Sequence, residues 1–241
     1  MIVSAQNETF KRILKLKQKK HRLDQMCFLV EGEHLVAEAI ASGRCRMLVA
    51  DAPLASFPGP LLELAKPLLM QLSDLETPAS LFAVCNIIPP RPLTDRLLLL
   101  DGIQDPGNLG TILRSARAFG FTTVIAEKTV DFYNPKVIRS TQGAIFKLNL
   151  ITAELVSFMK DNPEYWYYGS SVSAGTPLAE IGTSRPKSAL ILGNEGGGVR
   201  QELLDRANEI ITIAMRETES LNVAVAGSII MHQLAEASQQ D

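Results

Sequence analysis

The chain has 241 residues, of which 46% are hydrophobic and 21% charged, and its formal net charge is -2. That composition excludes a disordered or fibrous chain, and the length holds two modest domains or one large α/β unit without disulfide or metal staples. No apolar run is long enough to span a bilayer, and the near-neutral total argues against a polyanionic partner unless cations are gathered locally.

The first residues, Met1-Ile-Val-Ser-Ala-Gln-Asn, lack a basic segment followed by an apolar one, so no secretory leader is expected. Cations are gathered just beyond. Lys11, Arg12, Lys15, Lys17, Lys19, Lys20 and Arg22 form a stretch that includes His21 and contains no acid. Phe10, Ile13 and Leu14 fall at helical spacing among them, which predicts an amphipathic helix with a basic face. Such a face serves phosphates, or is simply a solvated surface.

Residues 28–31 predict a strand, 35–40 a helix stopped at Gly43, and 47–50 a second strand. A helix over 61–68 and a strand over 82–85 complete a small α/β domain. Cys27, Cys45 and Cys85 are odd in number and widely spaced with no CxxC pair, which points to a reduced, cytoplasmic setting without a disulfide framework or metal site. Pro89, Pro90 and Pro92 interrupt regular structure and mark a linker. The division read from the chain is 1–88, a linker at 89–96, and 97–241.

Beyond the linker, 97–100 is a continuous apolar run of buried parallel-strand type. A helix follows through Leu109, Ile112, Leu113 and Ala116 to Gly120, then a strand over 122–126. Further strands are expected over 146–151, 165–168, 189–192 and 210–213, with a last helix over 221–237. The alternation implies a parallel sheet with helices on both faces.

Ligands of such sheets sit at the carboxyl ends of strands, where three loops stand out. The first holds Asn108, placed to cap a helix, with Arg114 and Arg117 three apart on one side of that helix. The second, Leu192-Gly193-Asn-Glu195-Gly196-Gly197-Gly198, lets backbone approach a ligand closely, but it has neither dinucleotide-loop nor phosphate-loop spacing. Glu195 also disfavours a phosphate there. The third runs from Ile213-Ala-Met215-Arg216 to Ser220-Leu221-Asn222-Val223. His21, His34 and His232 lie outside all three, which removes the base that a Ser/His/Asp hydrolase needs.

In combination these loops resemble the SpoU (TrmH) family of RNA ribose 2′-O-methyltransferases, within the SPOUT superfamily. Asn108-Leu-Gly110 with Arg114 and Phe119-Gly120 matches its first motif, Leu192-Gly193-Asn-Glu195-Gly196 its second, and Ser220-Leu221-Asn222-Val223 its third. Phe28-Leu-Val-Glu31-Gly32 is similar to the substrate-binding domain often fused to the family. Ile213-Ala-Met215-Arg216-Glu-Thr-Glu219 departs from the family pattern in lacking a proline and a glycine.

The resemblance implies a small N-terminal L30e-like α/β domain, an RNA substrate-binding domain, followed by a SPOUT methyltransferase domain with a parallel sheet and a deep trefoil knot. The implied cofactor is S-adenosylmethionine, held by Leu192, Gly193, Glu195, Gly196, Ile213, Met215 and Leu221. The implied catalytic residues are Arg114, Asn108, Glu195, Ser220 and Asn222. Lys11, Arg12, Lys15, Lys17, Lys19, Lys20, Arg22 and Arg117 would hold RNA. A cytoplasmic homodimer acting on 23S ribosomal RNA is expected, with no metal. Transfer RNA as substrate, or a non-catalytic RNA-binding scaffold of ribosome assembly, are the alternatives.

Overall fold

In the computed structural model, residues 1–53, 59–87, 89–182 and 185–237 are described. Ile88, where the first domain was expected to end, lies outside them. Contacts gather the chain into two units, Met1–Pro89 with Tyr133–Phe146, and Pro90–Phe132 with Lys147–Asp241.

The first unit opens with α1 (Glu8–Leu14), capped by the Asn7 side chain, which accepts from the amides of Thr9 and Phe10. The helix expected through Arg22 is broken. A 3₁₀ turn (Lys15–Lys17) and extended Gln18 precede α2 (Lys19–Gln25). The cause is local: Arg22 is only 4% exposed, and its Nη1 donates to the carbonyls of Leu16 (2.8 Å) and Lys17 (2.9 Å). Those carbonyls would otherwise point unpaired from the end of the turn. The tighter turn also keeps Ile13 and Leu16 in the core with Phe10.

Then come β1 (Cys27–Glu31), α3 (Glu33–Ala41), β2 (Cys45–Ala50), β3 (Leu61–Glu63), α4 (Lys66–Leu72) and β4 (Leu81–Asn86). They form a four-stranded sheet in the order β1-β4-β2-β3, with β4 antiparallel to both neighbours and β3 parallel to β2. The helix predicted over 61–68 is therefore a short strand followed by a later helix. Pro67 explains the shift, because it is tolerated in a first turn, where α4 has it, and not in a helix interior.

The second unit contains β5 (Arg96–Asp101), α5 (Pro106–Ala118) and β6 (Thr123–Glu127). The next helix, α6 (Pro135–Thr141), gathers with the first unit. The rest are β7 (Asn149–Thr152), α7 (Leu155–Asp161), β8 (Trp166–Ser170), β9 (Thr176–Pro177), β10 (Ser188–Leu192), α8 (Gln201–Leu204), β11 (Glu209–Thr212) and α9 (Val223–Glu236). Strand pairing is parallel throughout, in the order β7-β6-β5-β10-β8-β11-β9. The strand predicted over 146–151 begins only at Asn149, because a 3₁₀ turn (Ala144–Lys147) occupies its start.

Leu97 to Leu100 are all fully buried, as a strand covered on both faces requires. Leu97, Leu99, Ala189 and Ile191 pack with Leu155, Val156 and Met159 of α7 and Leu203 of α8. Side chains alternate, so Leu192 points to the opposite face, where α9 lies against it at Gly227. The side chain of Asn149 ties the proline-rich segment down by accepting from the Arg91 amide (2.8 Å) and donating to its carbonyl (2.9 Å). Among the described residues no helix is long and apolar enough to cross a membrane, and no group of three His, Cys, Asp or Glu could hold a metal ion.

Candidate active site

The site is built at the carboxyl ends of β5, β10 and β11. Asp105 caps α5, and its carboxylate accepts from the amide of Asn108 at 2.8 Å. This fixes Asn108 in the first turn of α5, where its side chain faces the other two loops. The Asn108 Nδ2 donates to Glu195 Oε1 (3.1 Å), and its Oδ1 accepts from Nδ2 of Asn222 (2.9 Å). The Asn222 Oδ1 in turn caps α9 by accepting from the amides of Ala224 and Val225. One chain of hydrogen bonds thus joins all three loops.

Glu195 also accepts from the amides of Asp105 (3.2 Å) and Gln104 (3.3 Å), so both carboxylate oxygens are engaged. Partial burial pushes its pKa up, but the Asn108 amide group and the backbone donors outweigh this and hold it below the ordinary carboxylate value. It stays ionised near neutral pH and fits the start of α5, where unpaired amides favour negative charge. The sequence reads Glu195 as unfavourable to a phosphate. What it meets is amide donors.

The glycine cluster is a tight hairpin in which Asn194 and Gly198 exchange backbone hydrogen bonds of 3.0 and 2.9 Å. A Cβ on Gly193 would lie 2.0 Å from the Gly198 carbonyl carbon and the Val199 nitrogen, so only glycine fits. The Asn194 Nδ2 donates to the Gly102 carbonyl (2.7 Å), and its Oδ1 accepts from the amides of Gly196 and Gly197. At the hairpin's exit Arg200 donates from its amide and Nε to Asp101 (2.9 and 2.7 Å) and from Nη2 to Glu127. Burial would raise the Glu127 pKa, but the Leu155 amide and Arg200 bring it below the ordinary value.

Asn194, Asp101, Glu127 and Arg200 were not singled out from the sequence. The available signal was an acid ending each of two apolar strands with an arginine just past the glycines. Those residues are far apart in the chain, and only sheet order brings them together.

Leu192 and Gly193 are buried, Ile213, Met215 and Leu221 half-buried, and Gly196 and Ser220 exposed. Backbone groups of 214–221 make no hydrogen bond to the described residues other than the Ser220 carbonyl, which accepts from Thr218 Oγ1 at 3.0 Å. Amides and carbonyls of Met215 and Leu221 are thus available to a polar heterocycle, a donor set suited to adenosine despite the missing proline and glycine. Arg114 and Arg117 lie exposed on α5, with no ion pair among the described residues. α5 is braced on α9 by the Ser115 and Ser228 hydroxyls (2.7 Å) and by Phe119 edge-on to His232.

The expected RNA-contacting cations separate into groups. Lys11 pairs with Glu8 (3.2 Å), Lys17 with Asp74 (2.9 Å), and Arg12 donates to Gln25 (3.0 Å). Lys15, Lys19 and Lys20 are exposed with no ion pair among the described residues. Arg22 is withdrawn from solvent into the turn it closes, so it presents no charge to a ligand.

Comparison with known proteins supplies the family. The model of the SpoU rRNA Methylase family matches residues 95–232, and that of the MRM3-like substrate binding domain matches 7–83. The chain is 37% identical to 23S rRNA (guanosine(2553)-2'-O)-methyltransferase RlmP of Bacillus subtilis (strain 168), covering 97% of this chain and 98% of that protein. It is 32% identical to a TrmH-family structure from Porphyromonas gingivalis, with a TM-score of 0.85 over 97% of this chain and 98% of that one. An AdoMet-bound rRNA methyltransferase from Sinorhizobium meliloti is similar at 26% identity and TM-score 0.84, covering 98% and 97%.

Proposed function

Because the chain belongs to the SpoU rRNA methylase family, we propose that it transfers the methyl group of S-adenosylmethionine to a ribose 2′-hydroxyl of RNA, with 23S ribosomal RNA as substrate. The observation that carries this is the hydrogen-bonded chain Asn222–Asn108–Glu195, which sets the start of α5 against both other loops. When bound, the cofactor supplies an electrophilic methyl on a sulfonium. Leu192, Gly193, Glu195, Gly196, Ile213, Met215 and Leu221 would hold it.

The protein must align the hydroxyl and accommodate the charge that develops on its oxygen. Glu195 is a poor proton acceptor, since its carboxyl is held below the ordinary value with both oxygens engaged. Arg114 cannot serve as a base, because a guanidinium holds its proton throughout and has no acceptor. Its exposed guanidinium instead clamps the target phosphate and stabilises the developing alkoxide, while the proton passes to water or a neighbour.

The test is methyl incorporation into an unmodified 23S ribosomal RNA transcript by wild type and Arg114→Lys. Lysine lacks the planar fork, so the rate should fall by roughly 10²-fold or more, the size seen when one transition-state donor is removed. Undiminished turnover overturns the clamp. RNA binding without any methyl transfer by the wild type favours the scaffold, and transfer to transfer RNA alone replaces the substrate.

With this activity go an L30e-like first unit that holds RNA through Lys15, Lys19 and Lys20, a trefoil knot in the second, and a cytoplasmic homodimer. The dimer is supported by α9, where Val225 (48% exposed) and Ile229 (41%) stand one turn apart in solvent.

A further inference from the structure

Three described residues other than glycine have a left-handed backbone: Met26, Lys128 and Gln142. Met26 and Gln142 end α2 and α6, where that conformation is the usual helix stop. Lys128 ends no helix. It follows β6 with φ +51° and is pinned in place from the β5–α5 loop. The Gly102 amide donates to the Glu127 carbonyl (2.9 Å), Gln104 Nε2 donates to the Lys128 carbonyl (2.6 Å), and the Val130 amide donates to the Ile103 carbonyl (2.9 Å). A strained conformation held this firmly beside a reaction centre marks a position where function outweighs the strain.

The left-handed residue carries a charge. The Lys128 side chain is 73% exposed, and its one ion pair among the described residues is a loose 3.5 Å contact with Glu127, whose other oxygen is taken by Arg200 and the Leu155 amide. Sheet order gives that charge a place in the reaction. The cofactor loops follow β10 and β11, the catalytic loop follows β5, and β6 lies on the side of β5 away from β10. In-line transfer requires the attacking oxygen opposite the sulfur. The end of β6 lies one strand spacing, about 4.8 Å, from that of β5, within reach of RNA seated on the catalytic loop.

We propose that Lys128 contacts the RNA backbone phosphate next to the methylated ribose and so positions the substrate, which rests on the reaction proposed above. The β5–α5 loop that pins it carries Gln104, whose backbone amide donates to Glu195, so Lys128 and the catalytic loop are joined through one residue.

The test uses the full-length protein and an unmodified 23S ribosomal RNA transcript, with Lys128→Ala, Lys128→Arg and Lys128→Gly. Lys128→Ala should raise the KM for RNA roughly three- to tenfold, as loss of one charge-assisted contact does, with kcat and S-adenosylmethionine affinity unchanged. The slope of log binding constant against log salt, read by RNA binding without cofactor, should shrink by about 0.7 to 0.9, one phosphate contact. Lys128→Arg should restore both. Lys128→Gly should raise Tm, because the strain is relieved, yet show the same RNA defect as alanine.

A wild-type KM and salt slope in Lys128→Ala overturns the proposal. So does a parallel loss of kcat and cofactor affinity, which marks a structural residue. If the wild type transfers no methyl group, the reaction proposed above falls, and the salt slope still decides whether Lys128 meets RNA.

Discussion

Glu195 shows how neighbours, more than residue type, decide what a side chain does. A carboxylate in a glycine loop reads as a candidate base or ligand, but amide donors from Gln104, Asp105 and Asn108 engage it and lower its pKa. Its contribution to stability is full above the unfolded carboxylate value of about 4.3 and is lost as pH falls through the lower folded value. Denaturant unfolding of wild type and Glu195→Gln should therefore differ most near pH 7, and the gap should close on acidification below about pH 4. A gap that widens in acid overturns the assignment. Arg22 makes the same point from the other side, since it reads as one cation among seven and is the one buried on carbonyls.

Among the elements, the glycine hairpin between β10 and α8 acts as a rigid part. It is tied to Gly102 by Asn194, to the start of α5 by Glu195, and to Asp101 and Glu127 by Arg200. Gly193 is the hinge that permits no side chain, because a Cβ would run into backbone of Gly198 and Val199, which cannot rotate away. Gly193→Ala should destabilise the protein by about 3 kcal/mol or more, at the upper end of overpacking costs, and weaken cofactor binding. Chemical denaturation and calorimetric titration with S-adenosylmethionine check the two parts; a shift in stability below about 1 kcal/mol contradicts the contact. The helices that failed to match their expectation failed for similar local reasons. Pro67 moves α4 past Leu64, and Arg22 closes a turn where one continuous helix was expected.

At the scale of the molecule, the near-neutral net charge of -2 hides a local arrangement. Lys15, Lys19 and Lys20 are exposed in the first unit, and Arg114, Arg117 and Lys128 are exposed on the second. The proposed dimer belongs to this scale too. Val225 and Ile229 on α9 are the apolar surface it would bury. Sedimentation should find a dimer at micromolar concentration, and Val225→Asp with Ile229→Asp should give a folded monomer with lowered activity. A wild-type monomer, or a double variant that stays dimeric, excludes this face.

Sequence by itself determined the class of fold and the family. Apolar runs such as 97–100, closed by turn residues, read as strands covered on both faces, and three loops with matching motifs fall at the ends of such strands. It also named Asn108, Glu195 and Asn222. Their hydrogen-bonded order, and the partnership of Asp101, Glu127 and Arg200, came only with tertiary structure. The physical reason is that a parallel sheet orders its strands by packing of crossover connections, so β10 lies beside β5 although about 90 residues separate them. Periodicity reports which face of a strand is buried, and only the assembled sheet decides which strand ends meet.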